Sequence, residues 1–245
     1  MHRWVLGMKV QALFTPFVSA YAARMCGRFS RISPPEVFAE LFQAQLGKRV
    51  AGPRYNISPT NDVLACRQTL AGRERMLLHW GLIPAWAEDK KIGYRTINAR
   101  AETVAVKPSY RSAFKHRRCF IAADGFYEWM PGKVKKQPYY IRLQEGRPFA
   151  LAGLWEHWEP QGSEPVDSCT IIVTAANALI GKIHDRMPVI LSPKDYDQWL
   201  DPNVRDMEKL TPLLKPFSEN EMETYPVSLM INNPKHQGAE LVKPL

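Results

Sequence analysis

Short apolar runs that contain β-branched and aromatic residues recur along most of the chain, and turn residues separate them. Runs of this kind are typical of β-strands. They predict strands at Val63–Cys66, Arg75–Trp80, Cys119–Ala122, Phe126–Trp129, Tyr139–Leu143, Phe149–Leu154, Thr170–Thr174, Val189–Leu191 and Val227–Ile231. Asp124-Gly125 lies between two of these runs, and this dipeptide predicts a β-hairpin.

Two segments carry the signals of a helix start. Ser33-Pro34-Pro35-Glu36 combines a capping serine, a proline suited to the first helical position and a glutamate that completes a capping box. Ser192-Pro193-Lys194-Asp195 gives a similar signal ahead of apolar residues at helical spacing. Strands outnumber helices and do not alternate with them regularly. The sequence therefore predicts an α+β fold, mainly an antiparallel β-sheet or open barrel flanked by short helices.

The first 24 residues differ from the rest of the chain. They are basic at the start and then mildly apolar, but Lys9, Gln11 and Pro16 interrupt the apolar core that a secretory signal peptide needs. Two interpretations stay open for residues 1–24: an upstream translation artefact ahead of a true start at Met25, or a targeting or removable segment. No internal repeat or charged block divides residues 25–245, so we expect one domain there.

Composition and charge narrow the class of protein. Hydrophobic residues make up 45% of the 245 positions, which excludes disorder as the main state. The formal net charge is +9, of which +6 remains when the cations of residues 1–24 are left out. A basic surplus favours a polyanionic partner, because cations that neutralise phosphates release counterions. No run approaches the roughly 20 apolar residues of a transmembrane helix, so we expect no membrane partner.

The four cysteines are widely spaced and form no CxxC pair, which argues against a zinc ribbon or a disulfide framework. We therefore expect reduced thiols in a cytoplasmic protein, with no metal site and no cofactor. Cys66, Cys119 and Cys169 lie in or beside apolar stretches, where cysteine behaves as a small buried hydrophobe. Cys26, in Met25-Cys26-Gly27, has a different setting.

Removal of Met25 as an initiator would leave Cys26 with a free α-amine beside its thiol. The unperturbed pKa of an α-amine is about 8 and that of a cysteine thiol is about 8.5, so both groups can react near neutral pH. Together they condense with an aldehyde, first as an imine and then as a thiazolidine ring. The alternative is an incidental cysteine near a terminus.

Five further segments accompany Met25-Cys26-Gly27-Arg28-Phe29 in a fixed order. They are Arg54-Tyr55-Asn56-Ile57-Ser58-Pro59, Trp80-Gly81-Leu82-Ile83-Pro84-Ala85-Trp86, Thr96-Ile97-Asn98-Ala99-Arg100-Ala101-Glu102-Thr103, Ala123-Asp124-Gly125-Phe126-Tyr127-Glu128-Trp129 and Ile183-His184-Asp185-Arg186-Met187-Pro188. With these segments the sequence closely resembles the SOS-response-associated peptidase family, the abasic-site-processing proteins. The resemblance runs from Met25 to about Lys243.

The resemblance implies a set of catalytic residues. Cys26 matches the nucleophile that joins C1′ of the ring-opened abasic sugar through its amine and its sulfur. Asn98 matches the residue that positions this terminal cysteine, Glu128 matches the catalytic glutamate, and His184 matches the histidine that assists proton transfer. A carboxylate and an imidazole are suited to moving the protons of imine formation.

The resemblance also implies a DNA-binding surface. Arg100 and Arg186 match arginines that hold flanking phosphates, and the planar guanidinium fork suits this role. Trp86 and the loop from Asn56 to Pro59 resemble elements that shape a DNA channel. The expected partner is single-stranded DNA that contains abasic sites, bound by a monomer that is cytoplasmic and DNA-associated.

Some residues keep structural interpretations. Trp80 is expected in the core, and His79, His116, His157 and His236 are expected to be structural or solvated. The basic run from Arg111 to Arg118 fits either attraction to a DNA backbone or a solvated face. In a strand after Asp124-Gly125, Phe126 and Glu128 would share one face, while Tyr127 and Trp129 would share the other.

Two other functions stay open. Cys26 could act as a thiol autopeptidase that removes the N-terminal segment, or the chain could be a non-covalent single-stranded DNA-binding module. While residues 1–24 are attached, the nitrogen of Cys26 is an amide and cannot form a thiazolidine. This is the one departure from the family pattern.

Overall fold

The structure, a computed structural model, describes residues 26–45, 52–132, 134–162 and 164–245. Both interpretations of residues 1–24 therefore fall outside the described residues. The strands are β1 (Phe29–Arg31), β2 (Arg54–Ile57), β3 (Asp62–Thr69), β4 (Gly72–Trp80), β5 (Asn98–Arg100), β6 (Arg118–Ala123), β7 (Gly125–Met130), β8 (Gln137–Leu143), β9 (Phe149–Trp158), β10 (Val166–Ala175), β11 (Arg186–Pro188), β12 (Ile190–Leu191) and β13 (Met222–Pro226). The α-helices are α1 (Pro35–Phe42), α2 (Arg111–His116), α3 (Tyr196–Leu200) and α4 (Met207–Leu210).

The strands form two sheets. A five-stranded sheet has the order β13-β8-β7-β1-β2, and an eight-stranded sheet has the order β11-β10-β4-β3-β6-β9-β12, with β5 beside β10. β10 also pairs with β9, which closes the ring β10-β4-β3-β6-β9. Most pairs are antiparallel, while β4 and β5 run parallel to β10. The predicted α+β class is confirmed, and its barrel is closed by hydrogen bonds rather than open.

Successive side chains along the barrel strands point to opposite faces and belong to two different hydrophobic clusters. On β6, Phe120 and Ala122 face a cluster that includes the apolar faces of α1, α2 and α3, whereas Cys119 and Ile121 face the second cluster. That second cluster also takes side chains from the five-stranded sheet, so it joins the two sheets. Cys66, Cys119, Cys169 and Trp80 are fully buried, as predicted.

The predicted strands before residue 175 all lie within observed ones, but the region after β12 differs. Val227–Ile231 is not a strand: β13 ends at Pro226, and Leu229–Asn232 forms a 3₁₀ helix with Ser228 as its N-cap. Val227 and Ile231 are both fully buried in one cluster. A strand would place Leu229 on the same face as these two residues, yet Leu229 is 43% exposed, so the burial does not follow the alternation of a strand. β12 also begins one residue later than the predicted Val189.

The predicted hairpin at Asp124-Gly125 is wrong, because β6 and β7 belong to different sheets. The Asp124 carboxylate accepts backbone N–H groups of Ile32 (2.5 Å) and Ser33 (3.0 Å), so it binds the chain after β1 instead of closing a turn. Gly125 is required by packing, since a Cβ there would lie 2.3 Å from Tyr140 Cζ. A dipeptide common in turns here carries the chain from one sheet to the other.

The predicted capping of α1 by Ser33 is also wrong, because Asp124 binds this serine as well. Pro34 occupies the N-cap position, and no side chain caps the helix. The hydroxyl of Ser33 donates to Asp124 instead. The second predicted start is confirmed in position: a 3₁₀ turn at Pro193–Asp195 leads into α3.

Arg118 joins three segments beneath α2. Its guanidinium donates to the carbonyl oxygens of Phe114, Lys115, Trp199, Asp201 and Val204 at 2.5–2.9 Å. All five N–H donors of the side chain are thereby used on neutral acceptors. Burial lowers the pKa of Arg118 to about 10, which still leaves it charged near neutral pH. Arg118, a member of the basic run, is therefore a structural residue.

We expect Arg118→Met to lower the free energy of unfolding by at least about 3 kcal/mol, since it leaves several buried carbonyl groups without a donor. Urea denaturation would measure the change. Arg205→Met is the matched control, because Arg205 is exposed and donates a hydrogen bond of 3.3 Å to the carbonyl of Pro202. Equal losses in the two variants would contradict the structural role of Arg118.

Candidate functional site

The pairing of β1 with β7 brings Cys26 to Glu128. Phe29 lies opposite Phe126 in the antiparallel register, and the Tyr127 N–H donates to the Arg28 carbonyl at 2.9 Å. The chain ahead of β1 therefore runs beside the C-terminal half of β7. There the backbone N–H of Cys26 donates to Glu128 Oε1 at 2.6 Å.

The backbone of Cys26 is turned toward this carboxylate. Its φ is +47°, in the left-handed region that residues other than glycine rarely adopt. Such a conformation costs about 1–3 kcal/mol and persists only where the surroundings hold it. The contact with Glu128 and the burial of Cys26, which is 3% exposed, supply those surroundings.

Glu128 is a buried carboxyl group that has Cys26 and His184 beside it. Only 3% of the residue is exposed, and this burial raises the pKa of its carboxyl group. The nearby His184 and the hydrogen bonds from Cys26 act in the opposite direction and favour the charged form. As predicted, Phe126 faces the cluster between the sheets, while Tyr127 and Trp129 pack on the other side of the strand.

The thiol of Cys26 shares this environment. Burial, followed by the negative charge of Glu128, raises the pKa of the Cys26 thiol well above its ordinary value. The sulfur therefore holds its proton near neutral pH. Both reactive groups of Cys26 therefore contact Glu128: the backbone N–H donates to Oε1 at 2.6 Å, and the thiol also forms a hydrogen bond with the carboxylate.

His184 lies in the turn between a short 3₁₀ helix and β11. Its N–H donates to the Ile180 carbonyl at 2.9 Å, which fixes the turn. The ring atom Nδ1 lies 3.1 Å from the Arg186 N–H and 3.0 Å from the Asp185 carboxylate. In the neutral ring Nδ1 can accept from Arg186, and in the charged ring it can donate to Asp185. Both protonation states have a partner, which suits proton transfer.

A cleft of about 930 Å³ opens beside these groups. Glu128 and His184 line it together with Gly27, Arg28, Ser58, Pro59, Thr60, Tyr94, Trp129, Pro131, Lys136, Ile183, Asn232 and Pro234.

Arg28 is a residue of this cleft that the sequence analysis did not predict. Its guanidinium donates to Asn56 Oδ1 (2.7 Å) and to the Ile231 carbonyl (2.8 Å), and it lies 5.9 Å from the Trp129 ring centroid. The signal in the sequence that could have identified Arg28 as a cleft residue is its position two residues after Cys26.

Asn98, Arg100 and Arg186 are brought together by β10. β5 and β11 pair with overlapping parts of this strand, Asn98 opposite Ile171, Arg100 opposite Val173 and Arg186 opposite Ala175. Arg100 is exposed, whereas Arg186 is partly buried and forms an ion pair with Glu102. The Asn98 carbonyl accepts the Tyr110 hydroxyl at 3.0 Å. The role of Asn98 in positioning Cys26 stays a prediction.

The predicted channel residues lie in different settings. Pro59 lines the cleft. Asn56 is fully buried, and its amide group donates to the carbonyls of Asn233 (2.9 Å) and His236 (3.0 Å). It therefore fixes the C-terminal segment that forms one wall of the cleft. Trp86 is 60% exposed on the turn after Pro84, outside the cleft lining, where stacking on a base stays a prediction.

Comparisons with known proteins agree on one family. The sequence profile of the family described as SOS response associated peptidase (SRAP) matches residues 25–234. The abasic site processing protein YoqW of Bacillus subtilis (strain 168) is 42% identical over 222 residues, 89% of this chain and 99% of that protein. YedK of Escherichia coli (strain K12), also an abasic site processing protein, is 30% identical over 231 residues, 90% of this chain and 100% of that protein. A crystal structure of a Bacteroides thetaiotaomicron protein superposes with a TM-score of 0.82 at 26% identity, covering 90% of this chain and all of that one.

The raised pKa of Glu128 predicts a pH-dependent stability. The folded state holds the Glu128 proton more tightly than the unfolded state does, so it binds more protons between the ordinary pKa and the raised one. The wild type should therefore lose stability relative to Glu128→Gln as pH rises through that window. Urea denaturation of both proteins over a pH series would measure this difference. A difference that is constant with pH, or that changes in the opposite direction, would contradict the buried setting of Glu128.

Proposed function

We propose that this chain, which belongs to the SOS response associated peptidase family, processes abasic sites in single-stranded DNA by covalent attachment of Cys26. The observation that carries the proposal is the 2.6 Å contact between the Cys26 nitrogen and Glu128 Oε1. It puts a buried carboxyl group against the atom that becomes an α-amine when Cys26 is the first residue. The similarity to abasic site processing proteins of Bacillus subtilis and Escherichia coli supports abasic sites as the substrate.

Imine formation is the first step. With Cys26 at the N-terminus, Glu128 accepts a proton from the α-ammonium, and the free amine attacks C1′ of the ring-opened sugar. The aldehyde oxygen takes up a proton and then leaves as water, with His184 or Glu128 as the proton donor. A carbon–nitrogen double bond remains. The two partners of His184 Nδ1 support this role, because the ring is held in place in either protonation state.

Ring closure by the sulfur is the second step. Sγ of Cys26 attacks the imine carbon, a carbon–sulfur bond forms, and the thiol proton ends on the nitrogen. Amine, thiol and aldehyde thus become a thiazolidine and one water. Because burial and Glu128 raise the pKa of the thiol, the sulfur stays protonated until the imine is present. This order makes the nitrogen the first nucleophile.

The buried position of Cys26 favours single-stranded DNA as the substrate. A sugar in a duplex would have to be turned out of the stack, at a cost of a few kcal/mol, before it reached a residue that is 3% exposed. In a single strand this cost is smaller. We infer that Arg100 and Arg186 hold the phosphates on either side of the sugar and that Pro59 and Trp86 border the strand. All of these residues belong to one chain, so a monomer is sufficient.

A second activity is favoured by the same contact. While residues precede Cys26, Glu128 accepts the N–H of the Met25–Cys26 peptide bond itself. Attack of Cys26 Sγ on the preceding carbonyl carbon would form a thioester and break the carbon–nitrogen bond, with Glu128 taking the thiol proton and passing it to the departing nitrogen, which becomes the α-amine. Water would then hydrolyse the thioester to a carboxylate. Autoprocessing of this kind yields the N-terminal Cys26 that attachment to DNA requires.

For this autopeptidase activity we expect the purified 245-residue chain to lose residues 1–25 with time. Intact-mass measurement would follow the loss, with Cys26→Ala and Glu128→Gln as variants that should stay uncut. A wild-type chain that stays whole, or a Cys26→Ala variant that shortens equally fast, would rule out autoprocessing by Cys26.

For attachment to DNA we expect protein that begins at Cys26 to give a denaturant-resistant adduct with single-stranded DNA carrying one abasic site. Cys26→Ala and the uncut 245-residue chain should give none, because the first lacks the thiol and the second lacks the α-amine. A denaturing gel resolves the shifted band. No band with correctly exposed Cys26 would exclude covalent attachment and leave plain DNA binding. A band of equal strength with Cys26→Ala would move the reaction to another residue.

A further inference from the structure

A carboxylate neutralises one of the inferred phosphate ligands. Glu102 Oε1 accepts from Arg186 Nη1, and the two residues are 84 positions apart in the chain. The Arg186 side chain is 20% exposed and that of Glu102 is 49% exposed, so the pair lies at the edge of the protein and not in its core. The positive charges of Arg186 and Arg100 help to keep the pKa of Glu102 below its ordinary value.

The backbone fixes Glu102 at this place. It is the second residue after β5, in a turn where the N–H groups of Thr103 (3.0 Å) and Val104 (2.9 Å) both donate to the Arg100 carbonyl. β5 and β11 flank β10, which sets Glu102 and Arg186 side by side. The ion pair is therefore built into the site and does not depend on a flexible loop.

The ion pair with Glu102 weakens the attraction between Arg186 and a DNA phosphate. A guanidinium that already has a carboxylate partner neutralises less of a phosphate, and binding must either displace that partner or place two anions around one cation. Each cation that neutralises a phosphate of single-stranded DNA contributes about 0.7 to the slope of log affinity against log salt concentration. Glu102 should remove most of the contribution of Arg186.

We propose that Glu102 is a specificity-determining residue that weakens non-covalent binding of undamaged single-stranded DNA by holding Arg186. The proposal rests on the proposed function, since it takes Arg186 as a phosphate ligand. Once the covalent adduct through Cys26 has formed, its persistence does not depend on the affinity of the initial non-covalent complex. A lower affinity for intact strands therefore has little effect on the reaction at an abasic site, and it reduces the time that the protein spends on undamaged DNA.

The test is Glu102→Gln in protein that begins at Cys26, with an undamaged oligothymidylate as the probe. We expect its affinity to rise about three- to fivefold at low salt, the effect of removing an opposing partner from a partly exposed pair. The salt dependence should become steeper by about 0.7. Glu74→Gln is the matched control, because Glu74 is 51% exposed and pairs with Arg67, which is 24% exposed, on the barrel surface. This control should leave affinity and slope unchanged.

A double-mutant cycle with Arg186→Gln separates the specific effect from a general change of charge. In the Arg186→Gln background, Glu102→Gln should lose most of its effect. Unchanged or weaker binding by Glu102→Gln, or an equal effect without Arg186, would overturn the proposal. Adduct formation by the wild type on abasic DNA is measured in parallel. Its absence would refute covalent processing, whereas the inference about Glu102 is decided by the affinity for undamaged DNA alone.

Discussion

The hydrogen bond from the Cys26 nitrogen to the buried Glu128 carboxyl group is the interaction on which the site depends. Burying the carboxyl group of a residue that is only 3% exposed costs free energy unless a hydrogen-bonding partner is held beside it. Here the partner is the backbone of the residue that also carries the thiol. The proton acceptor, the nitrogen and the sulfur of the inferred chemistry are thereby placed together.

The rest of the fold maintains that contact. Pairing of β1 with β7 sets the register, and Asp124 fastens the chain that follows β1. Arg28 and Asn56 attach the start of the five-stranded sheet to the C-terminal segment, which closes the cleft on one side. His184 lies in the turn just before β11, a strand of the eight-stranded sheet, so the site lies where the two sheets meet. Both the cluster between the sheets and these polar contacts are needed to hold it.

The sequence predicted most strands, because a run of β-branched and aromatic residues is a local pattern that indicates a buried strand. It could not predict which strands pair. Asp124-Gly125 carries turn chemistry, yet Asp124 binds residues 91 and 92 positions away, and the hairpin does not form. The site residues were found through resemblance to a family, since Cys26 and Glu128 are 102 positions apart. Arg28 and the partner of Arg186 were missed, because ion pairs and buried donors between distant segments leave no local signal.

The most direct test of the account is to identify the atoms of the adduct. Protein that begins at Cys26 would be coupled to abasic single-stranded DNA, digested with nuclease and protease, and analysed by mass spectrometry with thiol- and amine-labelling reagents. The account predicts an N-terminal peptide whose mass is that of peptide plus sugar less one water, with Cys26 unreactive toward both reagents. A thiol that still takes label, or a sugar attached to another residue such as Lys136 in the cleft, would contradict it.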